Sequence, residues 1–269
     1  MTSIAHIINP VITDNSSDLL IAQPITFETM RVAKVFSKNQ VNVNLFAIQF
    51  HDETPSPLPD EFTKLPDLTR SITDIKTFKQ KRKLPLIRDI LDTLYEAGSA
   101  DYMIYTNVDI ALQPHFYWTV SNLVKQGYDA FAINRRTIPD HYHKLEDLPF
   151  MYAEPGEKHK GWDCFIFHRS LYPRFALGET CIGTGWFGRV MLTNMACFAY
   201  RFKVFEDLHL TFHIGNEKPW KTSQFEDYTE HNQAECKRIL PEFDKKYGPF
   251  PRDQIPGRFL TLLEKESAP

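Results

Sequence analysis

The strongest constraint on this chain is alternation: short apolar runs recur between segments that carry a helical apolar stripe. Residues 4–8 form a compact apolar run that stops at Asn9-Pro10, which predicts a first strand. Thr26 reads as the cap of a helix with Phe27, Met30, Ala33 and Phe36 on one side. Val41, Val43, Leu45 and Ala47 alternate with polar residues, the period of a half-buried strand. Residues 51–83, broken by Pro55, Pro57, Pro59 and Pro66, read as an excursion between regular elements. Residues 84–97 predict a helix with Leu84, Ile87, Leu91, Leu94 and Tyr95 on one face and Gly98 past its end. Strands are expected at 102–105, 130–133, 162–168 and 202–205, and helices from Pro114 to Gly127 and over 186–198. Residues 135–160 read as a polar, His-rich segment, and the chain beyond about 221 as an irregular extension of a single domain spanning 1–269.

Strands alternating with helices predict a mostly parallel sheet with helices on both faces. The 269 residues are ample for its core. Ligands of such sheets sit beyond the carboxyl ends of the strands, which singles out Asn9, Asn107, Asp109 and Asn134.

Composition narrows the function. A net charge of -3 does not provide the basic surface of a nucleic-acid binder. No apolar run is long enough for a membrane span, and residues 1–8 do not have the pattern of a secretion signal. Cys164, Cys181, Cys197 and Cys236 are scattered, which argues against structural zinc and for reduced thiols in a cytoplasmic protein.

Three stretches carry chemistry. In Thr106-Asn107-Val108-Asp109 an apolar strand ends in two polar residues one apart. In an extended chain these point to the same side and suit a hard cation, Mg2+ or Mn2+, that keeps phosphate oxygens in its shell. The alternative is that Asp109 only caps a turn before Pro114. His213-Ile214-Gly215-Asn216-Glu217-Lys218-Pro219-Trp220 offers a metal-binding imidazole, a glycine for close backbone approach and a lysine for a phosphate. Taken alone, His213 also suits a structural role. The basic run Lys76, Lys79, Lys81, Arg82, Lys83 and Arg88 places cations near a helix start, where anions are favoured; Lys83 and Arg88 are the best phosphate partners in it. Asp163 opens an apolar strand beside Trp162, where a carboxylate needs a partner, and is the candidate catalytic acid. Arg135, Arg136, His141 and His143 follow the strand that ends at Asn134 and are expected near a donor or acceptor pocket.

The order of these elements, with a strand ending in a D-x-D-like pair and a late histidine, resembles the GT-A glycosyltransferases. The tail resembles the H-x-x-G-x-x-K-P-W motif of the retaining family 8 enzymes (glycogenin/galactosyltransferase-like). His213, Gly215, Lys218, Pro219 and Trp220 follow it with one residue fewer between His and Gly. The likeness spans roughly 84–220 as order and short motifs. It implies a metal shell of Asn107, Asp109 and His213 and diphosphate contacts from Gly215 and Lys218; Asn9, Lys83, Arg88, Asn134 and Arg135, singled out above by strand ends and charge, complete the expected nucleotide-sugar site. The sequence departs from it in having Asn107 for the first acid, and residues 183–189 (GTGWFGR) where the family carries an Asp-Gln pair. The expected function is divalent-metal-dependent transfer of a sugar from a nucleoside diphosphate sugar to an acceptor that the sequence does not identify. The alternatives are a non-catalytic nucleotide-sugar or carbohydrate binder on the same fold, or a sugar nucleotidyltransferase. Against the last stands Asn9-Pro10-Val11-Ile12, which offers no Gly-rich phosphate loop.

Overall fold

The computed structural model describes residues 1–12, 17–53, 58–159, 161–216 and 223–247. The alternation of apolar residues sorts into two layers around one seven-stranded sheet. Its strands are β1 (Thr2–Ile8), β2 (Val41–Ala47), β3 (Phe62–Lys64), β4 (Tyr102–Thr106), β6 (Ala130–Ile133), β9 (Cys164–His168) and β10 (Phe202–Phe205), in the order β10-β6-β9-β4-β1-β2-β3. All neighbours pair in parallel except β9, which runs antiparallel to both β4 and β6. Successive strand residues face opposite sides. Ile4, Ile104, Phe131, Ile133 and Ile166 therefore pack on one face, under helices α1 (Leu19–Ser37) and α3 (Phe116–Lys125). Ala5, Ile7, Met103, Tyr105, Phe165 and Phe167 pack on the other, under α2 (Ile87–Ala97), α5 (Phe187–Phe198) and α6 (Glu226–Tyr247). The one polar residue among the buried positions of β1 is His6, held between the Tyr117 hydroxyl at 2.8 Å and Thr106 Oγ1 at 2.9 Å, where burial lowers its pKa to about 3.

A second, four-stranded sheet, β5-β11-β7-β8, is made by β5 (Ala111–Leu112), β7 (Arg136–Ile138), β8 (Glu157–Lys158) and β11 (Thr211–Ile214). The short helix α4 (Leu148–Ala153) packs on it through Leu148 and Met151. The polar, His-rich segment therefore contains two strands and a helix. Both strands are short, and β8 pairs with β7 inside the segment while β7 pairs with the distant β11, so no local period announces them.

Three further expectations are corrected. Helix α1 begins at Leu19, well before Thr26, which is buried inside it; Pro24 lies within the helix and masks its start in the sequence. Residues 84–86 are extended instead of helical, because Pro85 disfavours helix at Leu84 and Leu86 bridges Cys181 across the gap. The region beyond 221 is not irregular throughout: α6 occupies Glu226–Tyr247. Its buried stripe of Tyr228, Asn232, Cys236, Ile239 and Phe243 is spaced by three or four residues on an otherwise polar helix.

Helix α6 ties two distant segments together. The Tyr228 hydroxyl accepts from the Arg82 amide at 2.8 Å and donates to the Gln80 carbonyl at 2.6 Å, and its ring stacks on Phe78. Asn232 accepts from the Cys181 amide at 3.0 Å and donates to the carbonyls of Cys181 (2.8 Å) and Gly185 (2.9 Å). Among the described residues no helix is long and apolar enough to cross a membrane. The four cysteines are free thiols.

Candidate functional site

A cleft of about 600 Å3 opens at one edge of the main sheet, lined in part by Asn9, Lys83, Asn107, Asp109, Arg135 and Asp163. Strand direction explains the convergence. β1, β4 and β6 all end at this edge, and antiparallel β9 begins there. Cys164 pairs with both Thr106 and Ile133, so the preceding Asp163 lies beside the ends of β4 and β6.

The chain leaves β4 at Thr106 and turns at once, the Ile110 amide donating to the Asn107 carbonyl at 3.2 Å. Asn107 and Asp109 are therefore not presented by an extended strand, although both line the cleft. Asn107 Oδ1 accepts from the Tyr105 hydroxyl at 3.1 Å. After the turn, β5 pairs antiparallel with β11 in the register Phe212↔Ala111, which brings His213 up behind Asp109. His213 Nε2 lies 3.2 Å from Asp109 Oδ2, and His213 is 2% exposed. Its Nδ1 is 2.9 Å from the Gly215 carbonyl. A carbonyl only accepts, so Nδ1 carries a proton and Nε2 is the nitrogen turned to Asp109. Gly215 takes φ 73, a left-handed turn that places this carbonyl.

Burial alone would raise the Asp109 pKa, but the hydrogen bond and charge of His213 outweigh it and hold the carboxyl below 3.8. Burial would likewise lower His213, but Asp109 prevails and raises it above 6.5. The second carboxylate behaves differently. Asp163 Oδ2 lies 3.1 Å from Arg135 Nη1, yet burial is the dominant influence and raises its pKa above 3.8, with Asp109 adding to the rise and Arg135 opposing it. Arg135 is 2% exposed, so this ion pair is set into the cleft floor.

The remaining expected residues divide. Asn9 lines the cleft with its amide nitrogen 2.7 Å from the Ile48 carbonyl. Lys83 lines it too, but its ammonium is engaged with Asp52 and sits 4.2 Å over the Phe50 ring. Asn134 is buried behind the floor, donating to the His159 carbonyl at 3.0 Å, and Gly215 stands behind His213. Arg88 does not line the cleft: the extended strip before α2 carries the wall, and Arg88 lies on the helix past it, where its carbonyl meets the Tyr172 hydroxyl. Arg136 is held by the carbonyls of Pro155 and Gly156. Lys218, Pro219 and Trp220 lie outside the described residues.

Sequence reasoning missed much of the opposite wall, formed by His159, Trp162 and the loop 183–189. The signal available for the loop was its three glycines. Gly183 has φ 80, and a Cβ at Gly188 would lie 3.1 Å from the Trp162 carbonyl oxygen.

Among the described residues no group of three or more His, Cys, Asp or Glu side chains is arranged to hold a metal ion. Asp109 and His213 fit a sparser site, one whose cation takes its remaining ligands from phosphate oxygens. Asp109 Oδ1 is buried and has no hydrogen-bond partner among the described residues. The Nδ1 bond to a backbone carbonyl is the arrangement that frees Nε2 to ligate.

This mixed, mostly parallel α/β architecture, with its cleft at the strand ends, is a GT-A-like fold. The chain is similar in structure to S. aureus TarS 1-349, at TM-score 0.54 and 8% identity over 94% of this chain and 68% of that one. The complex of the same protein with UDP-GlcNAc gives 0.51 and 10% over 90% and 71%, and the complex with UDP gives 0.51 and 10% over 94% and 73%. No protein-family model and no curated protein matches the sequence.

Proposed function

We propose that this chain is a glycosyltransferase that binds a nucleoside diphosphate sugar through a divalent cation, Mn2+ or Mg2+, and passes the sugar to an acceptor. The observation that carries the reading is the Asp109–His213 pair. A carboxylate that lines the cleft, with one unsatisfied buried oxygen, meets at the end of the central strand a buried imidazole behind it whose tautomer is fixed by Gly215. Asp109 and His213 would hold the cation, with the Asn107 amide oxygen beside them. When bound, the cation neutralises charge that develops on the departing diphosphate. Arg135 and Lys83 add positive potential along the same cleft, and Asp163 is the carboxylate placed to accept a hydrogen bond from, and take a proton off, a sugar hydroxyl. UDP and UDP-GlcNAc, the ligands of the TarS complexes, are the first probes to use.

Calorimetry of UDP with manganese on wild type and Asp109→Ala tests the reading. We expect metal-dependent binding in the first and none in the second; equal affinity removes the metal site. A second reading, a non-catalytic nucleotide-sugar binder, draws on the ion pair that engages Asp163 with Arg135 and on the absence of any acid in loop 183–189. Release of UDP from a panel of UDP-sugars, with and without manganese, separates the two.

A further inference from the structure

We propose that the indole of Trp186, backed by the guanidinium of Arg189, is the platform on which a carbohydrate acceptor stacks. This rests on the transferase reading and extends it to the class of acceptor. Trp186 ends the glycine-rich loop and forms the N-cap of α5 with φ 69, in the left-handed region that favours glycine. Glycines stand at 183, 185 and 188 around it, yet this left-handed position carries the largest side chain. Strain retained in a cleft wall points to a use for the ring itself. Core filling accounts for only part of the ring: Trp186 packs against the rim of the core, where Phe187 already meets Tyr105 and Phe165 edge-on, but it stays half-buried and lines the cleft. The Arg189 guanidinium lies 4.3 Å from the Trp186 ring centre.

Topology decides what stacks there. In the order β9-β4-β1, the Asp109 strand lies between the end of β1, with Asn9, and the start of β9, with Trp162 and Asp163. A diphosphate centred on Asp109 has its nucleoside to one side and its sugar to the other. Asp163 marks the β9 side as that of the sugar, so the acceptor must approach there. Gly188 lets α5 close against the Trp162 backbone, making Trp162, Asp163 and Trp186 one wall. An indole takes the C–H face of a sugar ring, and a guanidinium beside it takes the hydroxyls.

The test uses the full chain with UDP and manganese, and the methyl glycosides of glucose, galactose, mannose and N-acetylglucosamine as probes, read by saturation-transfer NMR. We expect at least one glycoside to bind wild type saturably, Trp186→Ala to weaken it by roughly tenfold or more, and Trp186→Phe to retain part of the binding. Affinity for UDP with manganese should stay within about twofold in both variants, which also shows that they are folded. A Trp186→Ala protein that keeps glycoside binding overturns the proposal. So does a parallel loss of UDP affinity, which would make the ring a nucleobase platform, and so does a wild type that binds UDP but no glycoside. A wild type that does not bind UDP at all overturns the transferase reading beneath it.

Discussion

Replacing Asp109 with asparagine keeps the shape of the side chain and removes its charge, and the pH dependence of the result separates two roles of the carboxylate. Asp109 Oδ2 lies 3.2 Å from His213 Nε2, with the side chains only 17% and 3% exposed. His213 is raised above its ordinary 6.5, so its contribution to stability is complete below that value and is lost as pH rises through the folded pKa. Asp109 is depressed below 3.8, so its contribution is present above that value and is lost as pH falls through the folded pKa. The pair is therefore intact from about pH 4 to beyond about pH 6.5. Asparagine still accepts from Nε2 of the protonated imidazole, so Asp109→Asn exchanges an ion-paired hydrogen bond for one in which only the donor is charged. That costs about 1–2 kcal/mol, or a Tm loss of roughly 2–6 °C, at about pH 5.5. At a pH above the folded His213 pKa the loss shrinks, because the imidazole has lost its proton in both proteins. Manganese-dependent UDP binding follows the opposite profile. It needs a neutral Nε2, so in wild type it strengthens as pH rises through the His213 pKa. Removing a charged ligand there weakens it by about 100-fold or more. Thermal unfolding and UDP calorimetry at the two pH values read both effects. Equal UDP affinity at the higher pH refutes the metal assignment, and a Tm loss that ignores pH refutes the ion pair.

Asn107→Asp adds a charged oxygen beside Asp109 and should tighten manganese binding several-fold, measured by calorimetry; no change would place residue 107 outside the cation's shell. Asn232→Ala leaves the Cys181 and Gly185 backbone groups without their buried partner, which costs about 2–4 kcal/mol and roughly 5–15 °C in Tm by calorimetric unfolding. Trp186→Gly should be more stable than Trp186→Ala by about 1 kcal/mol, since only the alanine keeps a Cβ at positive φ; the reverse order by denaturant titration would show that the loop relaxes out of the left-handed conformation.

Most strands of the main sheet were legible, as apolar runs or, in Val41–Ala47, as strict alternation, and Val41–Ala47 and Ala130–Ile133 coincide with their predicted bounds; the edge strand β3, with Phe62 its one apolar residue, was not, and lies inside the stretch read as an excursion. Asn107 and Asp109 were legible as strand-end polar residues even though the extended geometry assumed for them gives way to a turn. Strand direction was not legible. A period of two is the same read forward or backward, so nothing local marks β9 as antiparallel, and Asp163 was singled out for its lone charge without any means of placing it beside Asp109. The pairing that delivers His213 depends on β5, a two-residue strand whose strand partner lies about a hundred residues away. Arg88 was misassigned because the helix was started three residues early, which put the wall-forming Leu84 and Pro85 on the helix instead of on the strip before it. Helix α6 was missed because its stripe holds Asn232 and Cys236 among few large apolar residues.

Because α6 grips the cleft from outside, through Tyr228 on the 80–82 strip and Asn232 on the 181–185 loop, occupancy of the cleft and docking of the helix are thermodynamically linked. A ligand that needs both walls in place raises the free energy of undocking α6 by the same amount that docking raises the ligand's affinity. At a hundredfold excess over Kd the helix would gain up to about 2.7 kcal/mol against local opening. Amide exchange along residues 226–247 would slow accordingly. The polar outer helix would then report on the state of a cleft whose chemistry lies on the other side of the loop.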